Sequence, residues 1–111
     1  MSVEQITQAS LDAYNAQDLD AYCGYFTDDV VVADINGDVS ITDIAAYRAR
    51  YEGAFAKFPG NRAELLNRIV LGNTVIDHER VDRGDGVTPV FEVAAIYTFR
   101  GDKIARVDFA K

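Results

Sequence analysis

The spacing of hydrophobic residues changes near the middle of this chain, and that change limits the folds it can adopt. Before residue 59, apolar residues recur every three or four positions, whereas after residue 63 they lie in β-rich runs separated by short turns. The first spacing places apolar side chains on one face of a helix, and the second is typical of strands. Helices followed by a series of hairpins predict an α+β fold. With 111 residues, the chain has the size of a single domain, residues 1–111.

Three helices and one short strand are predicted in the first half. Apolar residues at helical spacing cover residues 3–16. Asp18 is suited to cap a second, short helix, because its carboxylate accepts the free backbone N–H groups of a first turn. A strand is predicted over Val30–Ile35, and the longest helix over residues 43–57, with Thr42 as its N-cap. That helix carries an apolar stripe of Ile44, Tyr47, Tyr51, Phe55 and Phe58.

The second half is predicted to form an antiparallel meander, because its β-rich runs are joined by short turns. The four runs are Glu64–Leu71, Thr74–Asp82, Val87–Phe99 and Lys103–Phe109. A turn centred on Gly84 and Asp85 sets which side chains of the two middle strands share a face. One face is then expected to carry Ile76, His78, Arg80, Phe91, Val93, Ala95 and Tyr97. The other is expected to carry Asp77, Glu79, Val81, Val90, Glu92, Ala94 and Ile96.

Composition excludes several classes of protein. Eighteen acidic and eleven basic residues give a net charge of −7, which argues against binding to nucleic acid or to an anionic membrane surface. A single cysteine, Cys23, excludes an internal disulfide framework. The first residues show no signal-peptide pattern, so a cytoplasmic location is expected. No glycine-rich phosphate loop is found, and no cofactor is implied.

Four segments carry a resemblance to a known family. They are LDAYNAQDLDAYCGYFTDDVVVAD (Leu11–Asp34), ITDIAAYRARY (Ile41–Tyr51), LLNRIVLGNTVIDHERV (Leu65–Val81) and FEVAAIYTFRGDKIARVDF (Phe91–Phe109). Their order resembles the nuclear transport factor 2-like superfamily, most closely its SnoaL-like and ketosteroid-isomerase-like members. The resemblance implies a cone in which a curved antiparallel sheet and three helices enclose an apolar pocket. It also implies a homodimer through the convex face, for which Val90, Ala94 and Ile96 are apolar enough.

Asp34 is the first candidate catalytic residue. The resemblance implies this role, because ketosteroid isomerases carry a proton-shuttling Asp at the matching position after the first strand. A carboxylate in an apolar pocket has a raised pKa and transfers protons near neutral pH. The alternative is a turn-forming Asp beside Asn36 and Gly37, with its side chain bonded to the backbone.

His78, the only histidine, is the second candidate catalytic residue. Its predicted face points to the pocket, and an imidazole suits proton transfer. We therefore expect Asp34 and His78 to share one cavity as an acid–base pair. The alternative is a half-buried strand histidine bonded to a neighbour. Asp77 and Glu79 alternate away from His78 along the strand, so a metal site is not expected.

Aromatic residues are the main candidates for ligand binding. The resemblance matches Tyr47 to a pocket aromatic, and Tyr51 lies one turn further along the same helix. Tyr14, Phe91 and Tyr97 are expected to line the same cavity, with tyrosine hydroxyls orienting the ligand. Arg80 shares the predicted face of His78. It is expected to neutralise an anionic ligand or to pair with Asp34; the alternative is a stem packed along the sheet rim with a solvated head.

Three positions depart from the isomerase pattern. The family's enolate-stabilising tyrosine falls on Ser10, its protonated Asp on Ala95 and a supporting tyrosine on Arg48. Without these donors, ketosteroid isomerase activity itself is not expected.

Two functions follow from the sequence. The first is a SnoaL-like protein that binds a lipophilic carbonyl, polyketide or steroid-like ligand, with acid–base proton transfer of the isomerase or cyclase type. The alternative is a non-catalytic ligand-binding or dimeric interaction module of the same fold. A third reaction, hydration or hydrolysis, needs a cluster of polar groups around one water molecule, and the sequence offers none.

Overall fold

The computed structural model describes all 111 residues and contains three helices. They are α1 (Val3–Asn15), α2 (Leu19–Cys23) and α3 (Ile44–Lys57). Asp18 caps α2 as predicted, because its carboxylate accepts a hydrogen bond from the backbone N–H of Ala21 at 3.2 Å. Asp43, rather than Thr42, caps α3 by accepting from the backbone N–H of Ala46 at 2.8 Å. No helix combines the length and apolar composition needed to span a bilayer.

Six strands form one curved sheet in the order β2-β1-β6-β5-β4-β3. They are β1 (Phe26–Asp34), β2 (Val39–Ile41), β3 (Arg62–Leu71), β4 (Thr74–Asp82), β5 (Phe91–Arg100) and β6 (Lys103–Ala110). The predicted antiparallel meander is β3 to β6, whereas β1 pairs with β6 in parallel. The short strand β2 was not predicted. The α+β fold expected from the sequence is confirmed.

The core lies between the helices and the inner face of the sheet. Phe26 packs against Tyr47 with ring centroids 4.5 Å apart, and Tyr47 packs against Tyr51 at 4.7 Å. The Tyr22 and Tyr47 hydroxyls share a buried hydrogen bond of 2.7 Å, so neither polar group is left unpaired. Burial of each such ring stabilises the fold by roughly 1.5–3 kcal/mol. This aromatic cluster joins α2 and α3 to β1.

The pairing of β4 with β5 differs from the predicted register. His78 lies opposite Ala94, and Glu79 lies opposite Val93, so residues of equal parity share a face. The cause is the connection, which spans residues 83–90 instead of a tight turn at Gly84 and Asp85. The inner face therefore carries Asp77, Glu79, Val81, Phe91, Val93 and Tyr97, and the outer face His78, Arg80, Val90, Glu92, Ala94 and Ile96.

Candidate functional site

A cavity of about 440 Å³ lies between the helices and the inner face of the sheet. Its lining includes Tyr14 on α1, Tyr51 on α3, and Phe91 and Tyr97 on β5. Asp34, at the end of β1, also lines it. Five of the residues predicted from the sequence as catalytic or ligand-binding thus surround one cavity.

The other three predicted site residues lie elsewhere. Tyr47 is only 1% exposed and packs behind the cavity wall. His78 is on the outer face, where its Nε2 lies 2.6 Å from Oε1 of Glu92. Arg80 is also on the outer face, with Nη1 3.6 Å from the Glu64 carboxylate. The prediction that Asp34 and His78 share a cavity is therefore wrong, because the longer β4–β5 connection reverses the faces of β4.

Glu79 is the acidic side chain that this reversal brings to the cavity wall, and sequence reasoning missed it. The residue is 7% exposed, and no protein group forms a hydrogen bond with its Oε2. The pKa of Glu79 is raised to about 7, chiefly by burial and also by the negative charge of nearby Asp77, while Arg68 lowers it. A carboxyl group with this pKa exchanges protons readily near neutral pH.

Asp77 lies two residues earlier on the same face, and both of its carboxylate oxygens accept hydrogen bonds. Nε and Nη2 of Arg68 donate to its two carboxylate oxygens at 2.7 and 2.9 Å. Nη1 of Arg68 donates to Oε1 of Gln8 on α1 at 3.0 Å. This two-pronged ion pair satisfies Asp77 and leaves Glu79 as the inward carboxyl of β4 without a cation.

Tyr14 faces the same cavity and is held by a chain of hydrogen bonds. Nδ2 of Asn61 donates to the Tyr14 hydroxyl oxygen at 2.7 Å, and Nη1 of Arg83 donates to Oδ1 of Asn61 at 3.0 Å. Since the hydroxyl oxygen already accepts a hydrogen bond, its own hydrogen is available to a ligand. Burial raises the pKa of Tyr14, so the group stays protonated at neutral pH.

The three isomerase positions hold no donor directed at a ligand. The Ser10 hydroxyl donates to the backbone carbonyl of Thr7 at 2.8 Å. Ala95 is a buried methyl group, and Arg48 is exposed and paired with Asp20 at 2.7 Å. No three His, Cys, Asp or Glu side chains lie close enough together to hold a metal ion.

Comparison with known proteins identifies relatives of the whole chain. The family model of the SnoaL-like domain matches residues 7–107. An uncharacterized cystatin-fold protein from Novosphingobium aromaticivorans is 40% identical, with a TM-score of 0.93 over 100% of this chain and 99% of that one. No protein of curated function is significantly similar in sequence.

More distant structures share the fold. A candidate polyketide cyclase from Sinorhizobium meliloti is 22% identical, with a TM-score of 0.81 over 99% of this chain and 100% of that one. A protein with a ketosteroid isomerase-like fold from Catenulispora acidiphila, in complex with trimethylamine, is 16% identical, with a TM-score of 0.78 over 96% and 84% of the two chains. The family match over residues 7–107 shows that this chain belongs to the SnoaL-like family.

Proposed function

We propose that the cavity binds a small lipophilic carbonyl compound of the polyketide or steroid-like class, and that Glu79 moves a proton on the carbon beside the carbonyl. The observation that carries this proposal is the buried, unpaired Glu79 carboxyl on an aromatic wall, with a pKa raised to about 7. Both its proton-accepting and proton-donating forms are populated at neutral pH. The structural similarity of this chain to the candidate polyketide cyclase from Sinorhizobium meliloti supports a ligand of this class.

The reaction uses two residues of the cavity. Ionised Glu79 takes a proton from the α-carbon, and the electrons of that C–H bond move into the enolate. The Tyr14 hydroxyl, oriented by Asn61, donates a hydrogen bond to the enolate oxygen. For an isomerisation, Glu79 then gives the proton to a different carbon of the conjugated enolate. For a cyclisation, the enolate carbon attacks a second carbonyl of the ligand, and Glu79 gives the proton to the alkoxide oxygen formed there. Glu79 is ionised again at the end of either reaction.

Asp34 remains a proposed participant at the edge of this site. It lines the cavity but is exposed, unlike Glu79. We assign it the exchange of protons between the cavity and solvent. Tyr51, Phe91 and Tyr97 form the proposed binding wall for the lipophilic part of the ligand.

The proposed reaction is tested by deuterium exchange at the α-carbons of 2-tetralone in D₂O, followed by ¹H NMR. The wild-type protein is expected to accelerate exchange, and Glu79→Gln to slow it by about 100-fold or more. Tyr14→Phe is expected to slow it by roughly 100-fold, the usual cost of one lost oxyanion donor. Glu64→Gln makes the same chemical change on an exposed outer-face residue and serves as the control. Equal exchange by wild type and Glu79→Gln would rule out this role for Glu79.

The second candidate function is a ligand-binding module without catalysis. It is favoured because Ser10, Ala95 and Arg48 occupy the positions at which the isomerases carry their donors, and none of the three donates into the cavity. Tyr14 is then the cavity residue whose hydroxyl is oriented to donate to a ligand. A binding module is expected to be stabilised against heat by 2-tetralone without exchanging its α-protons.

We also propose a homodimer through the outer face of the sheet. Ile69 and Leu71 on β3 are 46% and 65% exposed on the chain alone. Ile96 on β5 lies on the same face, across β4 from them. Light scattering tests this proposal, with twice the 12.2 kDa chain mass expected.

A further inference from the structure

Arg83 is the first residue after β4, and its guanidinium lies in a fixed position at the cavity. Its Cζ lies 4.8 Å from the ring centroid of Phe58 and 5.2 Å from that of Phe91. Nη1 donates to Oδ1 of Asn61 at 3.0 Å. A guanidinium between two aromatic rings is stabilised by cation–π attraction and loses mobility. Arg83 is therefore pre-positioned without help from a ligand.

The backbone beside Arg83 brings this cation to the cavity. Gly84 has a φ of +69°, and a Cβ there would overlap the carbonyl oxygen of Gly60. Only a glycine at position 84 lets the β4–β5 connection approach the turn between α3 and β3 so closely. That turn follows Phe58, one of the two rings that hold Arg83.

Arg83 has no acidic partner, unlike five of the other seven arginines. Five arginines have a carboxylate oxygen within 4.0 Å: Arg48, Arg68, Arg80, Arg100 and Arg106. Arg83 has none, although the chain has 18 acidic residues and although Glu79 and Asp34 line the same cavity. Apart from the hydrogen bond to Asn61, its N–H donors have no protein acceptor. A planar guanidinium with free donors suits a carboxylate.

We propose that the natural ligand is a lipophilic carboxylic acid, and that Arg83 is the residue that selects for its carboxylate. The apolar body lies among the cavity aromatics, and the acid group binds the free edge of the guanidinium. Arg50, which also lines the cavity and has no carboxylate within 4.0 Å, adds positive potential. This inference rests on the cavity of the proposed function, but not on proton transfer by Glu79.

Two matched fluorescent probes test the inference: 6-methoxy-2-naphthylacetate and its neutral primary amide. The chain has no tryptophan, so excitation at wavelengths longer than those tyrosine absorbs reports on the naphthalene ring alone. The wild-type protein is expected to bind the acid about tenfold or more tightly than the amide, as a charge-assisted hydrogen bond predicts. Arg83→Gln is expected to remove this preference and to keep its affinity for the amide, which also shows that the variant is folded.

The control is Arg62→Gln, which makes the same change in net charge at an exposed β3 residue outside this cavity and is expected to keep the preference. Should Arg83→Gln not fold, the wild-type comparison of acid with amide decides the question alone. Equal binding of the two probes overturns the inference and leaves the proposed function standing. Binding of neither probe at millimolar concentration overturns both, because the cavity then takes no lipophile of this class.

Discussion

The two faces of the β4–β5 pair each carry glutamate side chains, but in opposite environments. On the outer face, His78 and Glu92 form a 2.6 Å contact, with side chains 47% and 53% exposed. On the inner face, Glu79 is buried without a partner, and its pKa rises to about 7. Water can replace the contact between His78 and Glu92 at little cost in free energy. The buried Glu79 carboxyl has neither water nor a partner, so its ionisation is costly. The difference shows that burial, rather than residue type, makes Glu79 the proton-transfer candidate.

A second contrast lies within the inner face itself. Asp77 is completely buried but accepts two hydrogen bonds from Arg68, whereas Glu79 accepts none at Oε2. A buried carboxylate with a bidentate cation is a structural group, and a buried carboxyl without one is free to act on a ligand.

The largest effect on stability is expected from Asp77→Asn, which removes the buried ion pair between Asp77 and Arg68. The change leaves the nearly buried Arg68 without its counter-charge, and we expect a loss of about 3–5 kcal/mol in the free energy of unfolding. Urea unfolding followed by circular dichroism measures this loss. A loss below about 1 kcal/mol, the value of an exposed pair, would mean that water reaches Arg68.

Glu79→Gln tests the role of the unpaired carboxyl, through the pH dependence of the free energy of unfolding. Because the folded-state pKa of Glu79 is raised from 4.5 to about 7, the folded protein holds the proton more tightly than the unfolded chain. Wild-type stability should therefore fall as the pH rises from about 4.5 to 7 and level off above 7. The total cost is about 3 kcal/mol.

The Gln variant lacks this titration. We expect it to match the wild type at pH 5 and to exceed it by up to about 3 kcal/mol at pH 8 in urea unfolding. The control is Glu64→Gln on the outer face, which should shift stability by under about 1 kcal/mol at both pH values. A Glu79→Gln effect that is equal at both pH values would contradict the raised pKa.

A smaller effect is expected from the outer face. Arg80→Gln removes the 3.6 Å contact with Glu64, in which the two side chains are 46% and 64% exposed. Exposed pairs of this kind contribute about 0–1 kcal/mol, so the unfolding midpoint should barely move. A loss comparable to that of Asp77→Asn would mean that the proposed dimer interface covers this pair and shields it from water.

The smallest effect concerns His78 and Asp34, which the structure places on opposite sides of the sheet. Glu92→Gln removes the contact of His78 and should change the NMR signals of the imidazole ring. Asp34→Asn should leave those signals unchanged, because Asp34 lines the cavity on the inner side. A change on Asp34→Asn would contradict the register of β4 and β5.

The sequence predicted the elements better than the faces. Hydrophobic spacing and turn residues identified Thr74–Asp82 as a strand at its observed bounds, and Asp18 as the cap of α2. The order of the elements was also distinctive enough to carry the family resemblance from residue patterns alone. The three-residue strand β2, by contrast, is too short to show any period.

The faces of β4 were not predictable from its own residues. Its inner face carries two carboxyl groups, Asp77 and Glu79, between Val75 and Val81, so hydrophobicity does not distinguish it from the outer face. The register depends on the connection between β4 and β5. There the Asp85 carboxylate accepts hydrogen bonds from the backbone N–H groups of Val87 and Thr88. Pro89 has no N–H to donate, and β5 begins only after it. If β5 is taken to begin at the residue after Pro89, that residue lies opposite Asp82. The inner face of β4 then carries Glu79, and His78 lies on the outer face.

In the proposed site, burial is what makes Glu79 a proton-transfer group. A ¹³C NMR titration of the side-chain carboxyl in protein labelled with [¹³C]glutamate tests it most directly, with Glu79→Gln used to assign the signal. We expect a midpoint near pH 7 for Glu79. A midpoint near the ordinary value of 4.5 would contradict it, because Glu79 would then be a solvated carboxylate with no special role in the cavity.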